Sequence, residues 1–164
     1  MPAAAGRGGR LQSGWHKLWC VAVGEALTGA VLRLHQQIYV RSDGRIGHAM
    51  IGVPTLLLRT TGRRSGVTRT NALVYARDGD DYLVVASAGG ADQAPAWLHN
   101  LRAHPEVEIQ VGRERRPGSA RIVEGGDPDY DRLWRIVNDN NRDRYAGYQK
   151  KTSRPIPVIA VTPR

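Results

Sequence analysis

The chain has 164 residues, 41% of them hydrophobic, which is one domain's length and enough to bury a core without covalent staples. Its single cysteine, Cys20, excludes an internal disulfide and any CxxC or cysteine-histidine zinc centre, and suits a reducing compartment. The net charge of +9 resides almost wholly in arginine, since lysine occurs only at Lys17, Lys150 and Lys151, and arginine's planar fork suits a partner bearing carboxylates or phosphates.

Residues 1–14, rich in Ala, Gly and Arg, read as a disordered tail. From Trp15 the apolar positions Leu18, Trp19, Ala22, Val23, Ala26, Leu27, Ala30, Val31, Leu34 and Ile38 trace one stripe of an α-helix, so residues 15–40 form an amphipathic helical segment. Gly24 and Gly29 predict a bend or break in it. Glu25 interrupts the apolar stretch well short of the ~20 residues that a spanning helix needs. The periodic pattern also argues against a signal peptide. Arg41 to Gly47 is a loop.

Beyond Pro54 the pattern becomes β. Strands are expected at Thr55–Thr61, Arg69–Arg77 and Tyr82–Ser87, with turns at Gly62–Gly66 and Asp78–Asp80 and a stop at Gly89-Gly90. Gln93 to Ala103 reads as a helix stopped by Pro105. Val107, Ile109 and Val111 alternate with Glu106, Glu108 and Gln110, a strand with one wet face. Ser119–Glu124 is a further strand. Asp127 or Asp129 caps a helix through Leu133, Trp134, Ile136 and Val137, and Pro157–Thr162 is a last strand. Short strands with tight turns and only two or three helices predict a small antiparallel barrel and disfavour a doubly wound parallel sheet.

Four segments have the chemistry of a site. Gly62 and Gly66 frame Arg63, Arg64 and Ser65, with Arg69 just beyond. Turn amides of this kind form anion-binding nests, and the guanidinium groups suit a phosphodiester or a row of carboxylates. A solvated basic hairpin is the ordinary alternative. Val85-Ala86-Ser87-Ala88-Gly89-Gly90 places small residues at a strand end, where a flat ring or a phosphate can approach, or where a turn simply needs glycine. Ala96-Trp97-Leu98-His99-Asn100 puts Trp97 and Leu101 one turn apart on an inner face; core filling is the commoner role for such a tryptophan. Tyr145 and Tyr148 share a face, and a phenol can donate a proton to a reduced carbonyl. His99 and His104 lack partners at metal-ligand spacing, so no metal site is expected. No GxSxG elbow, P-loop or GxGxxG motif is present.

In order and spacing these segments resemble the deazaflavin (coenzyme F420)-dependent nitroreductase and quinone reductase family of actinobacteria. The features that carry the resemblance run from about Gly52 to Pro163: Pro54-Thr-Leu-Leu-Leu, Thr61-Gly-Arg-Arg-Ser-Gly66, Arg69-Thr-Asn71, Asp78-Gly, Val85-Ala-Ser-Ala-Gly-Gly90, Pro95-Ala-Trp97, His99-Asn-Leu101, Pro105-Glu-Val107, Tyr145-Ala-Gly-Tyr148-Gln and Ile156-Pro-Val158. The resemblance implies a mainly β fold with helices (α+β), a split β-barrel of the FMN-binding, pyridoxamine-phosphate-oxidase-like class, over residues 50–164. It implies coenzyme F420, an 8-hydroxy-5-deazaflavin with a phospholactyl poly-γ-glutamate tail, as hydride donor to quinones or other electrophilic acceptors such as nitro compounds and enones. By the same resemblance Arg63, Arg64, Ser65 and Arg69 hold the tail. Thr70, Asn71, Ala72, Leu73 and Val74 form one wall for the ring, and Val85, Ala86, Ser87 and Ala88 another. Ala96, Trp97, Leu98, His99 and Asn100 close it, while Tyr145, Tyr148 and Ser87 face the substrate, with Tyr145 also touching the coenzyme. Two positions depart from the family pattern. Ala88 stands where a lysine often follows the serine, and Arg142 where nitroimidazole-activating members carry a tyrosine, which counts against that activity.

Three other functions are compatible with these residues: a coenzyme F420 carrier or storage protein without turnover, an FMN-dependent oxidoreductase of the same barrel class, and a nucleic-acid binder. Nucleic acid is not expected as a partner, because the few aromatics do not interleave with the arginines. Trp15 and Trp19, flanked by Arg7, Arg10 and Lys17, suit peripheral contact with the inner face of the cell membrane and a menaquinone acceptor. Packing of that helix on the barrel or on a second subunit of a homodimer is the alternative. The expected location is the cytoplasm.

Overall fold

A computed structural model describes residue 34 and residues 37–42, 49–50 and 53–164. The chain divides into two units between His35 and Gln36. Leu34, the one described residue of the first unit, is helical. The tail expected at 1–14, most of the stripe from Trp15 to Ile38 and most of the loop at 41–47 lie outside the described residues.

The second unit contains strands β1 (Ala49–Met50), β2 (Val53–Thr61), β3 (Thr68–Asp78), β4 (Asp81–Val85), β5 (Glu106–Val111), β6 (Glu114–Val123) and β7 (Val158–Pro163). Helices α1 (Ala96–Ala103), α2 (Tyr130–Asn140) and α3 (Arg144–Gln149) and a 3-10 turn at Ala88–Gly90 connect them. Residues 37–41 are also helical. Every strand pairing is antiparallel, in the order β1-β2-β3-β4-β7-β6-β5, and β5 returns to pair with β2. Strands β2 to β7 therefore close into a six-stranded barrel, the antiparallel architecture that the strand pattern predicts.

Closure leaves two apolar faces to cover, and each has its own core. Alternate side chains point inward: Leu56 and Leu58 of β2, Tyr82 and Val84 of β4, Ile109 of β5 and Ile159 and Val161 of β7, plugged by Trp97, Leu98 and Leu101 of α1. The opposite parity, Ala76, Leu83, Val85, Val158 and Ala160, packs against Leu133 and Val137 of α2 and Tyr145 of α3. Helix α1 is thus a stopper for the barrel, and α2 and α3 shield its outer wall.

Strands β2, β3 and β7 shift by one or two residues from the sequence expectation, and three other boundaries differ for identifiable reasons. Helix α1 begins at Ala96 and not at Gln93, because Pro95 is extended (φ −63°, ψ 144°) and biases Ala94 away from helical backbone. Strand β4 ends at Val85: Ser87 already has helical dihedrals and starts the 3-10 turn. Strand β6 starts at Glu114 and not Ser119, running through Arg115-Arg116-Pro117-Gly118. Pro117 lies just past the last β6–β7 residue pair, Gly118 with Pro163, where a strand tolerates the missing N–H.

The wet face expected for β5 is also corrected. Glu106 is exposed and Glu108 is half-buried, but Gln110 has no exposure. Arg59, across the ladder on β2, donates to Glu108 Oε1 at 2.9 Å and to Gln110 Oε1 at 2.7 Å, while Gln110 Nε2 donates to the Gly112 carbonyl at 3.0 Å. A buried carboxamide with both ends bonded costs little, so the strand stays dry there.

Leu98→Ala should lower the free energy of unfolding by about 2–5 kcal/mol, the cost of a cavity in a closed barrel that cannot collapse around it. Urea denaturation followed by far-UV circular dichroism checks this. A loss below about 1 kcal/mol would mean that α1 does not plug the barrel.

Candidate functional site

The β2–β3 connection is a six-residue turn, Gly62 to Val67, closed by Gly62 N–H to the Val67 carbonyl (2.9 Å) and Gly66 N–H to the Gly62 carbonyl (2.8 Å). Gly66 sits at φ +66°, and a Cβ on Gly62 would come within 2.8 Å of Ser65 Oγ, so both glycines are required by the turn's shape. Ser65 Oγ accepts from Val67 N–H at 3.3 Å. The turn holds Arg63 and Arg64 in solvent, and Arg69 follows on β3.

Asn100 of α1 anchors this turn. Its Oδ1 accepts from Arg63 N–H (3.1 Å) and its Nδ2 donates to Thr60 Oγ1 (3.2 Å). Asn100 and Thr60 are both buried, and the bonds span 37 and 40 residues of sequence. One carboxamide therefore ties the barrel's stopper to the arginine turn.

Around the turn lies a cavity of ≈ 760 Å³, lined by Arg63, Arg64, Ser65, Arg69, Thr70, Asn71, Ala96, Trp97 and Asn100, and also by Gly62, Thr68, Gln37, Val40 and Arg41. This volume is in the range of small-molecule sites. Nine of the expected contact residues thus meet at one place. Strand parity separates others. Leu73 packs toward the barrel core, while Ala72 and Val74 alternate to the other side of β3. Leu98 is in the barrel core, and His99 lines a second cavity of ≈ 730 Å³ on the other side of α1, with Arg102 and Arg154.

The remaining expected residues form a separate cluster. Val85 packs in the outer core and Ala86 in the barrel core. Ser87 is buried and Ala88 is exposed at φ +47°, followed by Gly89 (+68°) and Gly90 (+89°). A Cβ on Gly90 would stand 2.8 Å from the Tyr148 carbonyl oxygen, so the missing side chain lets this turn press against the end of α3. The Tyr145 and Tyr148 rings meet edge-on at 6.3 Å between centroids. Tyr145 is almost fully buried, and burial pushes its phenol well above the ordinary tyrosine range; the neighbouring Tyr148 adds to the rise, while the Asn141 side chain and Arg144 oppose it. Its proton is therefore fully held at neutral pH.

Arg154, in the loop before β7, is a member of this cluster that the sequence does not reveal. Its guanidinium donates to the carbonyls of Ala86 (3.3 Å), Ser87 (3.1 Å) and Ala91 (3.3 Å). Gln149 of α3 holds the same loop, donating to the Thr152 and Arg154 carbonyls (3.1 and 3.0 Å) and accepting from Ile156 N–H (3.0 Å). Among the described residues no three metal-ligating side chains converge.

The cavity's chemistry is specific. Arg41, Arg63, Arg64 and Arg69 line it together and make no ion pair among the described residues, so four guanidinium groups without a carboxylate partner face one space. Like charges around an open cavity suit an extended polyanion.

Residues 31–163 match the family model described as F420H(2)-dependent quinone reductase. An F420H(2)-dependent quinone reductase of Mycobacterium tuberculosis is 56% identical over 135 residues, which cover 82% of this chain and 91% of the relative. An F420-H2 dependent reductase of known structure aligns with a TM-score of 0.59 and 37% identity, covering 66% of this chain and 93% of that one. A domain-swapped dimer aligns at 0.61 and 31% identity, covering 82% and 98%. A heme storage protein of Vibrio cholerae, at 14% identity and a TM-score of 0.53 over 79% of this chain and 90% of that one, shares the fold alone.

Asn100→Ala should destabilise the protein by about 1–3 kcal/mol, since Arg63 N–H and Thr60 Oγ1 both lose a partner. Amide exchange at Arg63 should accelerate more than exchange in β7; uniform acceleration would mean that Asn100 does not anchor the turn.

Tyr145 gives a pH signature. The unfolded phenol ionises near its ordinary value of about 10, while the folded one keeps its proton to higher pH. Its contribution to stability is therefore intact below that value and falls as pH rises above it. Tyr39, Tyr75 and Tyr130 are shifted upward by burial too, so the decline is shared. Tyr145→Phe should make the loss of stability between about pH 9 and about pH 11.5 shallower without removing it. Equal slopes in the two proteins would count against the burial of this phenol.

Proposed function

The chain belongs to the F420H(2)-dependent quinone reductase family, and from that membership we propose how its barrel reduces a quinone. It is an oxidoreductase that uses coenzyme F420. The observation that supports our placement of the coenzyme is the cavity ringed by unpaired guanidinium groups at the arginine turn. A phospholactyl poly-γ-glutamate tail presents a row of anionic oxygens, and guanidinium groups bind such oxygens by charge-assisted hydrogen bonds.

In this reading Arg63, Arg64 and Arg69 bind the tail, and Asn100 holds the turn in place. Thr70, Asn71, Ala96 and Trp97 border the approach to the ring. When bound, the reduced deazaflavin supplies a hydride. The quinone needs that hydride and one proton to become a hydroquinone. Tyr145 retains its phenolic proton at neutral pH, and Tyr148, half-buried beside it, presents a second hydroxyl. Ser87 adds a hydroxyl on the turn that Arg154 secures. These three residues are our candidates for orienting and protonating the acceptor.

The acceptor's finer identity belongs to the same proposal. A menaquinone reached from the inner face of the membrane fits the tryptophans and basic residues before the barrel in the sequence, and the proposal extends to assembly as a homodimer. A carrier protein with the same cavity would bind the coenzyme without turnover.

Arg63→Ala combined with Arg64→Ala should weaken coenzyme affinity about tenfold or more at low ionic strength, and the salt dependence of binding should largely disappear. A fluorescence titration at two salt concentrations measures both. Turnover with menadione, read from the coenzyme's visible absorbance, separates a reductase from a carrier. Unchanged affinity in the double variant would remove the coenzyme from this cavity.

A further inference from the structure

The sequence places the barrel domain after residue 50 and makes the preceding helix a separate piece. The structure joins the end of that helix to the site. Tyr39 has no exposure, and its hydroxyl lies 3.1 Å from the Thr55 carbonyl of β2 and 3.4 Å from the Gln110 carbonyl of β5, while accepting from Gly112 N–H at 3.0 Å. Contacts to the backbone of β2, of β5 and of the turn after β5 fix both the position and the rotation of the helical turn at residues 37–41. Burial raises the Tyr39 phenol above its ordinary range, so this anchor stays protonated and neutral.

The rotation that buries Tyr39 turns the other side of the helix to the arginine cavity. Gln37, Val40 and Arg41 stand at spacings of three and four residues, one helical stripe, and all three line that cavity. Arg41 is exposed and makes no ion pair among the described residues. Arg41 thus lines the same cavity as Arg63, Arg64 and Arg69, and a fourth guanidinium there suits a ligand carrying several negative charges.

We infer that Arg41 is a binding residue for the acidic tail of the coenzyme, so that the segment preceding the barrel completes the coenzyme site and is more than a spacer. The inference rests on the reading that this cavity takes the deazaflavin coenzyme. It gives Tyr39 a positioning role: its hydroxyl touches no ligand and acts by holding the turn that carries Arg41.

The test uses the full chain and two probes, coenzyme F420 with its glutamate tail and the deazaflavin head without it. Arg41→Ala should raise the Kd for the tailed coenzyme about three- to tenfold at low ionic strength, leave the Kd for the head within about twofold, and lose part of the salt dependence. Arg41→Lys, which keeps the charge, should recover most of the loss, and the melting temperature should not change because Arg41 is exposed. Wild-type affinity in Arg41→Ala, alongside weakened binding in the Arg63→Ala, Arg64→Ala double variant, would overturn the role of Arg41 and leave the cavity assignment standing. Equal weakening for both probes would overturn the tail assignment. If neither variant affects binding, the cavity reading fails, and the inference with it.

Discussion

Strand β2 is the member on which the rest of the molecule depends. It pairs with β3 on one edge and with β5 on the other, and the second pairing turns a sheet into a barrel. Its inward residues Leu56 and Leu58 belong to the interior core. Its outward Arg59 crosses to Glu108 and Gln110, and so seals the seam where closure occurs. Thr60 accepts from Asn100, and the chain then enters the arginine turn. Thr55 supplies a carbonyl to Tyr39. Seam, stopper, turn and N-terminal helical turn are all registered against this one strand.

Because the barrel is closed, its surface charges serve separate purposes. Several arginines away from the cavity sit beside carboxylates, as in Arg121 with Asp127 and Asp129, or Arg132 with Asp78 and Asp129. Such exposed pairs contribute little to stability, but they cancel local field. Around the cavity the cations are left uncancelled. Among the described residues, four arginines without a carboxylate partner therefore share one cavity.

The second cluster is organised by a different device. Three successive residues, Ala88 to Gly90, have positive φ, a costly run for an alanine. Three carbonyls of the surrounding segment accept from Arg154, and the absence of a side chain at Gly90 admits the end of α3. The strained turn is held by its neighbours, which keeps Ser87 close to the element bearing Tyr145 and Tyr148. In the proposed reaction, fixed placement of this kind is what a hydroxyl facing the acceptor would require.

The local pattern of residues was sufficient for the barrel class, the strand sequence, the arginine turn and the tyrosine pair, because period-two alternation and glycine-framed turns are properties of short segments. The resemblance to the family, and not the local pattern, grouped Arg63, Arg64, Ser65, Arg69, Thr70, Asn71, Ala96, Trp97 and Asn100 around one ligand, and these nine line one cavity. The local pattern could not separate the two faces of β3 and β4, since contiguous residues look equivalent until closure assigns an inside and an outside. Only the tertiary structure sent Leu98 to the core, dried Gln110, and brought Arg154 to Ala86 across 68 residues and Tyr39 to Gln110 across 71. Those contacts depend on which distant backbone groups remain unpaired after the barrel closes, a property of the whole chain that no short segment encodes.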